Sequence, residues 1–165
     1  MDYEKKPTEF QIGDWVIPYI FDTALKPSKI VGISYNSYRG EDYVDWVDCE
    51  VWDELSLNDI KPIPLTEKIL ERNGFKKYEG DYHNEYVCEK WDETSYYEIV
   101  ICWKDSYDNG ALDAFNHVQW DEGWKLDIIG EGSYNKGWCK TIYLHELQHA
   151  LRLCGLNELA DNFKL

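Results

Sequence analysis

Basic charge is scarce in this chain of 165 residues: 17 Lys and Arg stand against 32 Asp and Glu, giving a formal charge of −15 and an isoelectric point near 4.5. Proteins that grip phosphate draw affinity from Lys and Arg displacing counterions, so direct nucleic-acid binding is not expected. Long apolar runs are missing too. No stretch approaches the roughly 18 apolar residues of a membrane span, and Met1 to Pro7 lacks the apolar core of a secretory signal. The expectation is a cytoplasmic protein without membrane association. The five cysteines, Cys49, Cys88, Cys102, Cys139 and Cys154, form no Cys-x-x-Cys pair and are odd in number, which favours buried free thiols over a metal or redox role. Gly-rich phosphate loops, serine nucleophile elbows and Cys-His arrangements are absent as well.

Aromatic residues, by contrast, are plentiful. They make up 16% of the chain, and 44% is hydrophobic, so the acidity is not that of a disordered tail. The acid is also divided evenly, −7 over residues 1–65 and −8 over the remainder, with no tail of one sign.

The chain reads as an α+β protein. Trp15 to Ile20, Lys29 to Tyr35 and Tyr43 to Trp52 are aromatic and β-branched and are separated by turn residues, which predicts a small N-terminal β module, a curled sheet or SH3-like barrel. Pro62 and Pro64 make Ile60 to Leu65 an extended connector. Thr66 caps a short helix from Glu67 to about Asn73 ended by Gly74, with Leu65 and Leu70 as a hydrophobic staple. Strands are then predicted at Glu85 to Trp91, Ser95 to Trp103, Leu112 to Trp120 and Trp124 to Ile129, with a tight turn at Asn109-Gly110. A loop over Gly130 to Gly137 leads into a closing helix from about Thr141 to Cys154, capped by Gly155. The division expected is 1–65 as the β module with its connector and 66–165 as an α+β lobe, or one compact domain.

One stretch resembles a chemical motif. His145-Glu146-Leu147-Gln148-His149 places two imidazoles one helical turn apart, as zinc peptidases require, with Glu146 beside the first to activate a metal-bound water. A third ligand is not evident. The extended pattern would put Gly and His where Arg152 and Gly155 stand, and Glu158 and Asp161 lie just beyond a helix-ending glycine. His83 and His117 remain as ligands from the sheet. On a helical wheel Tyr143, Leu144, Leu147, Ala150, Leu151 and Cys154 form the buried stripe, which turns His145 and His149 toward the opposite, solvated side with Arg152. Elsewhere, Trp46, Trp52, Trp91, Trp103, Trp120, Trp124 and Trp138 suit a groove for a peptide, sugar or base, with packing in a strand core the favoured alternative. Asp105, Asp108, Asn109 and Asp113 surround a turn, where a solvated hairpin tip is favoured over a cation site.

Three stretches carry a family resemblance: Phe10-Gln11-Ile12-Gly13-Asp14-Trp15-Val16, Asp59 to Leu70 running on to Asn73-Gly74-Phe75, and Tyr143 to His149 continuing through Leu156. Together they resemble a family of small uncharacterised proteins encoded by phages and mobile elements of Bacteroidetes. The resemblance implies a layout: a short Gly-turn β module, the proline connector with its capped helix, a variable strand region and a terminal helix. It also implies that positions matching Glu146 and His149 are often Gln and Asn, which a zinc peptidase does not tolerate. Leu147 and Gln148 would then belong to a structural helix docked on the sheet, with Gln148 bonded to a strand edge. The functional expectation is a non-enzymatic accessory protein that binds another protein and needs no cofactor, with an acidic nucleic-acid decoy as a subclass. The alternative is a zinc-dependent hydrolase with His145 and His149 as ligands and Glu146 as catalytic base.

Overall fold

The computed structural model describes residues 10–21, 23–38, 41–79, 84–91, 96–104, 123–130, 135–141 and 143–165. The architecture is α+β, built on two antiparallel sheets. The chain divides into two compact units, one comprising Met1–Pro64 with Tyr143–Gln148, the other Leu65–Ile142 with His149–Leu165.

The first unit is a curled sheet. It holds β1 (Trp15–Ile20), β2 (Thr23–Ala24), β3 (Ser28–Tyr38), β4 (Glu41–Cys49), β5 (Trp52–Leu55) and β6 (Ile60–Pro62), in the order β2-β1-β3-β4-β5 with β6 also on β1. Bulges curl it: the β3–β4 register slips between Ile30 and Gly32 and again between Ser34 and Tyr35. Alternate residues then face inward, and Phe10, Val16, Ile30, Val47, Cys49, Leu55 and Ile60 form the core. The proline connector departs from its expected unpaired state. Val16 pairs with Pro62, Ile17 with Lys61 and Pro18 with Ile60, because a short strand can pair beside proline where the missing N–H is not needed by the ladder.

The entrance to this sheet is a turn whose residues are used several ways. The Asp14 N–H donates to the Gln11 carbonyl at 3.1 Å across Ile12 and Gly13, and Gly13 has φ +92°, the conformation that the third position of a type II turn demands. The Asp14 carboxylate, fully buried, in turn accepts the Gln11 N–H at 2.8 Å. A polar side chain is thereby buried with its own turn supplying a donor.

The second unit has a five-stranded sheet of β7 (Lys76–Glu79), β8 (Asn84–Trp91), β9 (Tyr96–Lys104), β10 (Gly123–Gly130) and β11 (Asn135–Thr141), each strand pairing with its sequence neighbour. Tyr86, Ile101 and Leu126 lie side by side across three strands and are all buried, as are Cys88 and Ile99. Strands β8, β9 and β10 fall, within a residue at each end, at the expected Glu85 to Trp91, Ser95 to Trp103 and Trp124 to Ile129. The β11 segment replaces the end of the expected Gly-rich loop and the first residue of the expected helix, since pairing to β10 from Trp124–Thr141 to Ile129–Asn135 outweighs the turn propensity of its glycine. The expected strand Leu112 to Trp120, the Asn109-Gly110 turn and the acidic group Asp105, Asp108, Asn109 and Asp113 lie outside the described residues.

Helix α1 (Glu67–Arg72) is capped as its residues dictate: the Thr66 hydroxyl accepts the Ile69 N–H at 3.3 Å, and Gly74 has φ +86°. Its end is a Schellman motif, with the Phe75 N–H on the Leu70 carbonyl and the Gly74 N–H on that of Glu71, each at 3.1 Å. Asn73 then anchors the C-terminal segment of the same unit. Its carboxamide donates to the Lys164 carbonyl at 2.9 Å and accepts the Lys164 N–H at 2.7 Å. Nearby, burial first, then the Glu67 and Glu71 carboxylates, push the Tyr86 hydroxyl well above its ordinary range.

Helix α2 (Leu144–Leu153) starts three residues later than expected and ends in a second Schellman motif at Gly155, φ +80°. There the Gly155 N–H donates to Arg152 and the Leu156 N–H to Leu151, both at 2.9 Å. A further short helix, α3 (Asn157–Asp161), follows and was not foreseen. Among the described residues no helix is long and apolar enough to cross a membrane.

Candidate functional site

Within the first unit, the start of α2 is built from all three stretches that carry the family resemblance. Tyr143 bridges to Pro64, and the Leu144 N–H, one of the helix's uncommitted first-turn donors, reaches the Ile63 carbonyl at 2.8 Å. Glu146, at the third helical position, accepts the Tyr143 N–H at 2.9 Å, which is the glutamate half of a capping box. A carboxylate in this place also meets the positive end of the helix.

Gln148 is fully buried and works like a residue of a neighbouring strand. Its Nε2 donates to the Gly13 carbonyl and its Oε1 accepts the Trp15 N–H, each at 3.2 Å. Those are the two backbone groups, flanking Asp14, that a parallel strand would bond, so a single carboxamide continues the sheet's hydrogen bonding where, among the described residues, no strand passes. The expectation that Gln148 bonds to a strand edge holds.

His145 departs from the expected solvated face. It is 1% exposed, with its ring 4.8 Å from that of Phe10 and stacked at 5.8 Å on that of Tyr143. The wheel ranked sides by hydrophobic residues alone. Here the buried arc is widened by polar groups, because Gln148 satisfies its amide on backbone and the chain before β1 brings Phe10 over His145. His149 is half-buried and belongs to the second unit. Also in that unit, Arg152 turns to α3, where its Nε lies 3.0 Å and its terminal nitrogen 2.9 Å from one Asp161 carboxylate oxygen. That carboxylate is thus engaged by a guanidinium, while Glu158 is exposed on α3. His83 and His117 lie outside the described residues. Among the described residues no group of three or more His, Cys, Asp and Glu side chains gathers in metal-binding geometry.

The other candidates divide. Cys49, Cys88 and Cys102 are buried free thiols, and burial, with the Asp48 and Glu50 carboxylates adding to it, pushes Cys49 up to about 11. Trp124 is core: its ring meets Tyr86 edge-on at 5.6 Å and its Nε1–H donates to the Leu65 carbonyl at 3.0 Å. Trp46 and Trp52 contradict the strand-core expectation, being 37% and 48% exposed. Trp46 takes the outward place between inward Val47 and the bulge of β4, and Trp52 sits at the sheet's end on β5. Aromatic and β-branched content marks both as strand residues but does not say which face another layer covers. The side chains of Trp91, Trp103, Trp120 and Trp138 are outside those described.

One feature carried no signal in the sequence. Phe21, in the tight β1–β2 hairpin, is 97% exposed and has φ +48°. No known protein family, curated protein or solved structure matches this chain.

Proposed function

We propose that the chain is a non-enzymatic accessory protein that binds another protein, in the cytoplasm, consistent with an origin in a phage or mobile element. The observation that carries this reading is the employment of the His145 to His149 stretch. Glu146, which a hydrolase needs as base, holds the Tyr143 N–H at the helix start. His145 is enclosed by Phe10 and Tyr143, and Gln148 is bonded to the sheet. Those roles account for His145, Glu146 and Gln148 by helix docking alone.

Phe21 supports a protein as the partner. A left-handed backbone costs an ordinary L-residue about 1–2 kcal/mol, and an exposed phenyl ring adds no burial in return. An aromatic side chain held this way on a hairpin suits insertion into an apolar pocket of a partner, where aromatic anchors dominate binding.

Metal analysis of protein purified without added zinc tests the reading. The expected result is no stoichiometric metal. One zinc per chain, lost in a His149→Ala variant that still folds, would overturn the reading in favour of the zinc alternative. For the decoy subclass the measurement is displacement of a DNA-binding protein from its site, which must occur at low salt and fade as salt rises.

A further inference from the structure

The hairpin of β4 and β5 concentrates charge of one sign beside exposed aromatic surface. From Glu41 to Leu55 the chain has seven Asp and Glu and neither Lys nor Arg. Val47 and Cys49 point into the core, which leaves Trp46 and Asp48 on the outer face of β4. The residues opposite them on β3 are small: Ser34 faces Trp46 and Gly32 faces Asp48. The residue directly across from Trp46 therefore adds little bulk, and Trp46 is 37% exposed. Val51 and Trp52, at the hairpin turn and the start of β5, are 62% and 48% exposed, and Glu50, Asp53 and Glu54 are exposed around them.

This surface is held in place rather than loosely displayed. Glu54 adopts φ +56° at a bulge in β5, and the Asp48 carboxylate fixes it by accepting its N–H at 2.8 Å. Gly32 leaves room for that carboxylate, since a Cβ there would stand 2.9 Å from Asp48 Oδ2.

We propose that the β4–β5 hairpin is the docking surface for an extended, Arg- or Lys-bearing segment of a partner protein. The cations lie on the faces of Trp46 and Trp52, and the surrounding carboxylates complement them. The proposal rests on the reading of the chain as a binding protein and names the chemistry of its partner. Charge selects the occupant: a second copy would set −15 against −15, and the same field repels nucleic acid and anionic lipid. The unit already uses the pairing internally, with Lys29 Nζ 5.3 Å from the Trp15 ring centroid and Lys61 Nζ 4.5 Å from that of Tyr19. Those lysines sit on other rings.

The test is calorimetric titration of the full chain at low salt with a synthetic peptide of alternating Arg and Val, and with an alternating Glu and Val peptide as control. The Arg peptide is expected to bind and the Glu peptide not. Trp46→Leu with Trp52→Leu, which keeps apolar bulk and removes the π faces, should weaken binding by about fivefold or more. Asp53→Asn with Glu54→Gln should also weaken it, whereas Glu67→Gln with Glu71→Gln on α1 should not. Absence of binding, indifference to the tryptophans, or equal loss from both acid pairs overturns the proposal, the last by showing only a general field. Stoichiometric zinc in the same preparation would overturn the binding-protein reading without touching this result, so the two fail separately.

Discussion

Gln148 presents both halves of its carboxamide to backbone groups two residues apart, so no other residue replaces it without loss. Gln148→Ala is expected to cost about 2–3 kcal/mol, two buried hydrogen bonds together with a cavity, measured by denaturant unfolding. Gln148→Glu should cost at least as much, because it loses the donor to Gly13 and buries a charge there. Phe21 should behave in the opposite sense. Phe21→Asn tolerates the left-handed backbone better, and its thermal midpoint should be equal to or above that of the parent; a fall of several degrees would mean that the ring supports the fold. Cys49 adds a pH dependence. Its thiol is raised from 9.0 to about 11 in the folded state, so its contribution is complete below pH 9 and is lost as pH climbs toward 11. The folded chain should lose roughly 1–3 kcal/mol over that window through this group. The loss should be absent in Cys49→Ala when the two pH profiles of unfolding free energy are compared. Of these three residues, Cys49 was legible in sequence as a buried free thiol, and the role of Gln148 was implied by the family resemblance. The φ of Phe21 depends on a hairpin closing over two residues, which composition does not encode.

At the scale of elements, the helix termini were legible because their signals are local. Thr66, Gly74 and Gly155 each act within one turn of their own position, and each performs the predicted cap. Strands β1, β8, β9 and β10 were legible for the related reason that aromatic and β-branched content bounded by turn residues is a property of consecutive residues. Two of the errors fall where strand pairing overrides local propensity: β6, which finds β1 despite its proline, and β11, which finds β10 despite its glycine. Gly32 makes the same point across strands, since its lack of a side chain accommodates Asp48 of β4. Gly32→Ala should displace that carboxylate from the Glu54 N–H and lower stability by about 1 kcal/mol. If the cost comes from that contact, Asp48→Ala and Gly32→Ala will be less than additive in a double-mutant cycle.

For the whole molecule, the charge of −15 argues against phosphate-bearing partners, yet dividing it into halves concealed its local order. The acids of 41–55 become a feature only once β4 and β5 pair and expose two tryptophans among them. The His145 to His149 stretch shows the converse. Its spacing satisfies a catalytic pattern, while its surroundings use the residues to cap a helix and fasten it to a sheet, contacts that join positions more than 130 residues apart. The most direct test of that central claim is the thermal midpoint of the native chain, measured in excess zinc and again in excess chelator. A metal that binds only the folded state raises the midpoint in proportion to RT ln(1 + [L]/Kd). The account predicts the same midpoint in both conditions; a midpoint that rises with zinc, falls with chelator and loses both responses in His149→Ala would contradict it.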